Sequence, residues 1–212
     1  MLVPEQDIAR VANAHRRLVG AIDAITNEHV RRPSLLPGWT VGHVLSHLAR
    51  NADSHVRRAQ AARRGLMADQ YTGGFAGREA EIAAGATRSC AEIIEDVRRS
   101  ADAVEDAWRT LPADAWANRT RDVSGRERPL FELPSRRWQE VEVHIVDLDI
   151  GVSHRDWPED FVIEWLPRTR ERMWSQLPPE VGEAVFEDSR DELAWLYGRL
   201  RDDDLPELPP WG

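Results

Sequence analysis

One segment constrains the fold more than any other: residues 133–151. Wound as a helix at 100° per residue, Trp138, Val141, Ile145 and Leu148 form one apolar face. Val143, Val146 and Ile150 form a second, far around the circumference. A helix that is apolar on two sides must be packed on two sides, so it needs several neighbours. Ile8, Val11, Ala12, Leu18, Val19, Ile22 and Ile25 recur at helical steps and predict a first helix. Pro33, Pro37 and Gly38 then break the chain before Thr40, an N-cap for a second helix carrying Val41, Val44, Leu45, Leu48, Ala52 and Val56. Past the glycines at 73–77, a third helix is expected over residues 86–108, with Ile93, Ile94, Val97, Ala101 and Val104 inside. A loop over 112–129 leads into the two-faced fourth helix.

Four long helices with modest loops predict a mainly α protein built as a four-helix bundle. After Trp157 and Pro158 the pattern changes. One more helix is expected over 161–177, a short strand near 185–186, a helix over 191–200 and an irregular proline-rich tail. The chain therefore divides into a bundle, residues 1–155, and a reduced C-terminal region, 156–212, a short α/β or helical appendage.

Composition excludes several classes of function. With 37 acidic against 28 basic residues the net charge is −9, opposite to what a nucleic-acid surface requires. The paired arginines are separated by acids and apolar residues and read as solvated helix faces. No apolar run approaches the ~20 residues needed to span a bilayer, and no signal segment is visible, so a cytoplasmic location is expected. A single cysteine, Cys90, excludes an internal disulfide framework and suits a reducing compartment. Beside Ile93 and Ile94 it reads as a packing residue, not a nucleophile.

The chemistry lies between the two apolar faces of the fourth helix. Glu140, His144 and Asp147 run along one gap; Glu142 and Asp149 occupy the other. Glu140 and His144 stand one turn apart and point to the same place, offering a carboxylate and an imidazole suited to zinc. Asp147, a turn beyond, can accept the other imidazole N–H and fix the tautomer. A Glu-x-x-x-His pair is also common as an ordinary hydrogen-bonded pair, so the pattern alone is a weak signal. On the second helix His47 and Asn51 flank the apolar stripe, whereas His43 lies further toward solvent. His47 is the better third ligand, and three ligands leave a coordination position open, as catalytic sites do.

The stretch Leu36-Pro37-Gly38-Trp39-Thr40 through His47 to Asp53 resembles the second helix of mycothiol-dependent maleylpyruvate isomerases. So does Arg137-Trp138-Gln139-Glu140 through His144 to Leu148, followed by Trp157-Pro158 and Phe161-Val162. The region 71–85 with Arg78, the segment Leu193 to Arg199, and the closing Leu208-Pro209-Pro210-Trp211 are similar too. This resemblance implies a DinB-like bundle with zinc held by His47, Glu140 and His144, Asp147 beside the metal, and a functional arginine at Arg78. Two departures stand out: Ile145 replaces a second histidine, and the C-terminal region is short for the α/β domain of longer relatives.

The resemblance further implies mycothiol as thiol cosubstrate and an unsaturated keto acid such as maleylpyruvate as substrate. A thiolate adds to the cis double bond, the new single bond rotates, and elimination returns the thiol with a trans product. Zinc would lower the thiol pKa, and Arg78 would hold a substrate carboxylate. A thiol S-transferase on the same metal bundle is the alternative, and a non-enzymatic metal-stabilised binding module a third class.

Overall fold

The computed structural model describes residues 3–174 and 186–200, together with Leu205 and Leu208. The elements run α1 (Glu5–Ile22), α2 (Asn27–Arg31), α3 (Val41–Arg63), α4 (Gly74–Ala86), α5 (Cys90–Arg109), β1 (Arg119–Arg121), β2 (Glu127–Pro129), α6 (Leu133–Asp147), α7 (Glu159–Trp174) and α8 (Ser189–Leu196). Helices α1, α3, α5 and α6 form the bundle: α3 packs on α5 and α6, and α1 packs on α6 and α5. The mainly helical architecture expected from the periodicity is the one observed.

Thr40 does cap α3, and it does so reciprocally. Its hydroxyl accepts from the His43 backbone N–H at 3.4 Å, while the His43 ring Nδ1 accepts from the Thr40 N–H at 3.2 Å. His43 is thereby committed to the start of the helix. The third bundle helix begins later than the pattern suggested, at Cys90, because Ser89 and Glu92 form a second capping box there.

The largest departure is α4, which the glycines at 73–77 obscured. They are not a linker but the device that turns the chain into a helix lying against α3. Gly73 caps α4 in the left-handed region at φ +76°, open to glycine without strain. At Gly77 a Cβ would meet the Thr72 carbonyl oxygen at 1.8 Å. The loop before α4 is itself pinned. Arg57 donates to the Gln70 carbonyl (2.6 Å), and Thr120 and Arg121 of the β1–β2 hairpin donate to the Ala68 carbonyl. The 112–129 region, read as a plain loop, thus contains a small antiparallel hairpin with a positioning task.

Both apolar faces of α6 are buried, as its pattern required: Trp138, Val141, Ile145 and Leu148 on one, Val143 and Val146 on the other. The second polar gap behaves differently from a solvated face. Asp149 is exposed, but Glu142 is 1% exposed and ion-paired with Arg17 of α1 at 2.6 Å. Beyond the bundle, α7 and α8 pack together and join the same apolar core. Trp138 meets Phe161 edge-on at 5.3 Å, and the Trp157 indole N–H donates to the Glu142 carbonyl at 2.7 Å. Phe186 lies outside any strand and stacks near Trp195, while residue 185 of the expected strand lies outside the described residues. Cys90 is buried, its thiol directed at the Ile25 carbonyl at 3.4 Å and its pKa raised by burial, which fits a packing role.

Candidate metal centre

Helix α3 is buried along a polar line as well as an apolar one. His47, Asn51, Ser54, His55 and Arg58 all lie on its buried surface. Where this line meets α6, the ligand atoms of His47, Glu140 and His144 come within 4.8 Å of one another. His47 Nε2 is 2.9 Å from Glu140 Oε2, and His144 Nε2 is 3.5 Å from the same oxygen. The two imidazoles stand edge to face with centroids 4.7 Å apart. Two imidazole nitrogens and one carboxylate converging from helices are a donor set that fits a zinc-like divalent cation. Among the described residues this is the sole such cluster.

The protonation pattern follows from the surroundings. Burial drives the pKa of His47 down to about 4, outweighing its bond to Glu140. For His144 burial acts in the same direction, but the hydrogen bonds to Asp147 and Glu140 prevail and raise its pKa. Glu140 is held well below the usual carboxylate range: burial opposes this, and bonds from His144 and His47 overcome it. So the centre holds a carboxylate between two imidazoles, Arg78 standing against the outer nitrogen of one and Asp147 against that of the other.

Asp147 lies where the helical spacing put it. Its Oδ2 is 2.7 Å from His144 Nδ1 and accepts that N–H, which turns Nε2 toward Glu140. Asp147 is fully buried and is itself clamped by Arg199, which donates from Nε to Oδ1 (2.8 Å) and from Nη2 to Oδ2 (2.7 Å). Burial raises the Asp147 pKa, but His144 and Arg199 bring it below the ordinary value. Arg199 follows α8, so the C-terminal region reaches back to orient a bundle histidine.

Arg78, on α4, places Nη2 3.2 Å from His47 Nδ1 and its guanidinium over the Trp39 ring at 5.6 Å. Trp39 also stands against the His47 ring with centroids 5.7 Å apart. Hence all five residues singled out in the sequence, His47, Arg78, Glu140, His144 and Asp147, are neighbours. Two others were missed. Trp39 and Arg199 stood in recognisable stretches, yet no helical spacing ties either to the metal trio, because one precedes α3 and the other follows α8.

A DinB-like helical bundle with a two-histidine, one-carboxylate centre at the α3–α6 junction is the class that this fold and site define. More specifically, the chain belongs to the mycothiol maleylpyruvate isomerase N-terminal domain family, whose model matches residues 11–149. The fold is similar to the crystal structure of the mycothiol-dependent maleylpyruvate isomerase, with a TM-score of 0.86 and 24% identity over 99% of this chain and 98% of that one. A histidine-to-alanine mutant of that enzyme gives 0.86 and 23% over the same shares. Against these two chains the C-terminal shortening expected from the sequence does not hold, since the match runs essentially end to end. No curated protein is significantly similar in sequence.

Proposed function

We propose that the chain is a mycothiol-dependent cis–trans isomerase acting on maleylpyruvate or a similar unsaturated keto acid. The observation that carries this reading is the His47–Glu140–His144 cluster, braced by Asp147 and Arg199, inside a fold that matches such an isomerase end to end. His47, Glu140 and His144 would hold zinc, which when bound supplies a lowered thiol pKa and polarisation of a carbonyl oxygen. In the reaction, sulfur bonds to the alkene carbon β to the carbonyl and the π electron pair moves to the carbonyl oxygen. The former double bond rotates as a single bond. Return of the electron pair expels the thiolate and re-forms the alkene as trans.

The chain's own residues set the geometry of these events. Asp147, clamped by Arg199, keeps His144 in the tautomer whose Nε2 faces inward. Glu140 spans both imidazoles and fixes their separation. Arg78, beside Trp39 and His47, would pair with a substrate carboxylate through two parallel N–H bonds and orient the alkene toward the thiol. Placement in the cytoplasm follows from the thiol chemistry and the unpaired Cys90, and no described helix is long and apolar enough to cross a membrane.

The test is stoichiometric. With excess maleylpyruvate and a small amount of mycothiol, the metal-loaded protein should form trans product over many turnovers while free thiol stays constant. One thiol consumed per product would instead establish an S-transferase on the same bundle.

A further inference from the structure

A cleft of about 430 Å³ lies between the first turns of α6 and the second half of α7, with Asp7 of α1 at its edge. That volume is in the range of a small-molecule site. None of the metal trio lines it, yet it begins beside them. Arg136 and Gln139 belong to its wall, and Arg136 stands one helical turn before Glu140, a spacing that brings side chains to within about 6 Å at their Cβ atoms. A ligand filling the cleft therefore has the metal cluster within reach of a short flexible arm.

The wall is held in place by its own bonds. Gln139 donates to the Tyr197 hydroxyl at 2.8 Å and Thr169 to the same oxygen at 3.2 Å, which ties α6 to α7 through the residue that follows α8. Arg168 lies over the buried Trp165 ring at 5.3 Å and donates to the Ser135 hydroxyl at 3.4 Å. Phe131, just before α6, adds an exposed ring to the lining. The charges are already matched. Asp7 pairs with Arg10 at 3.1 Å, Arg136 with Glu132 at 3.5 Å, and Arg168 with Glu164. Of the lining arginines, Arg172 has no ion pair among the described residues.

This lining selects a chemical class. A multiply charged anion would have to break the ion pairs, and an apolar ligand would strip water from them without replacing it. A neutral ligand rich in hydroxyls does neither: it donates to the carboxylates and accepts from the guanidinium groups, while the C–H face of its ring covers Phe131. We propose that this cleft binds the pseudodisaccharide of the thiol cosubstrate and so delivers its sulfur to the metal cluster. Mycothiol carries its sulfur on an N-acetylcysteinyl arm attached to a glucosamine–inositol pair, a neutral polyhydroxylated body of the class described. The inference rests on the proposed function for the choice of thiol; the preference for a hydroxylated ring stands without it.

The probe is N-acetylglucosaminyl-inositol, the cosubstrate without its cysteine, titrated into the zinc-loaded protein and followed by saturation-transfer NMR. Wild type should bind it, and should still bind it after the metal is chelated. The double variant Phe131→Ala, Arg172→Ala, at two exposed positions, should weaken it roughly tenfold, about the worth of one hydrogen bond to a charged group. In the same variant KM for mycothiol should rise by a similar factor with kcat, metal content and circular dichroism little changed. Ile163→Ala, exposed on α7 outside the cleft, should change none of these. No binding by wild type, equal binding by the double variant, or binding that vanishes with the metal overturns the proposal. Turnover separates the two readings. If wild type isomerises maleylpyruvate with mycothiol but does not bind the glycoside, the cleft is wrong and the isomerase reading stands. If it binds the glycoside through Phe131 and Arg172 yet leaves maleylpyruvate unchanged, the isomerase reading falls and the cleft remains.

Discussion

His15 should make the stability of this bundle depend on pH in one particular direction. The ring is 3% exposed and lies between Glu105 and Arg137. Arg137 Nε–H donates to His15 Nε2 at 3.1 Å, so that nitrogen is the acceptor and Nδ1, 2.7 Å from Glu105 Oε1, carries the proton. A second proton would sit on Nε2, facing the Arg137 guanidinium in a dry site. Burial first, then Arg137, bring the pKa down to about 4 against an ordinary 6.5, the bond to Glu105 only partly opposing them. The unfolded chain takes up a proton below pH 6.5 and the folded one does not until near 4. Stability is therefore lost as pH falls through that window, by about 2 kcal/mol at pH 5 and about 3 kcal/mol at pH 4 from this residue.

In His15→Gln an amide oxygen can still accept from Arg137 and there is no proton to gain. At pH 7.5 the variant should be less stable by about 1 kcal/mol, the typical worth of the lost bond to Glu105. Between pH 7.5 and 5 the difference should move about 2 kcal/mol in the variant's favour. Urea unfolding followed by the fluorescence of buried Trp108, Trp116 and Trp138 measures both at each pH. Parallel curves of stability against pH for the two proteins would refute the reasoning.

Asp147→Asn should leave the fold intact but weaken metal affinity or activity by roughly 10–100-fold, read by metal competition and turnover. Asp149→Asn, on an exposed residue, should do neither, and equal effects would show that Asp147 does not orient His144. Gly77→Ala must push the start of α4 away from the Thr72 carbonyl, so thermal unfolding should show a loss of about 1–3 kcal/mol. Because Arg78 is the next residue, KM for the keto acid should rise as well; an unchanged melting temperature would mean the turn relaxes freely.

The parts of this architecture legible in the sequence are those with a local period. Glu140, His144 and Asp147 share a helix, so a 100° step brings them together, and the two apolar faces of α6 announced that it would be enclosed. Thr40 could be read as a cap from its place after Pro37 and Gly38. Helix α4 was hidden because Gly73, Gly74 and Gly77 are poor helix formers in general, and only their contacts reveal a tight entry turn. The burial of Glu142 was not legible because its partner, Arg17, is 125 residues away. Arg199 was illegible for the same reason: it acquires its place from a contact across the fold to Asp147, which no spacing along the chain encodes. His43 and His47, one turn apart on α3, were separable by face, and the capping box adds the chemical reason for the difference.

Metal content tests the central claim most directly. Wild type purified with zinc present should carry about one ion per chain, and His47→Ala, Glu140→Ala and His144→Ala should each lose it after dialysis. His43→Ala, which removes a capping contact and a ring contact with Trp39 but no ligand, should retain it. Wild-type metal content in all three ligand variants would contradict the account, because the cluster at the α3–α6 junction would then not be a metal centre.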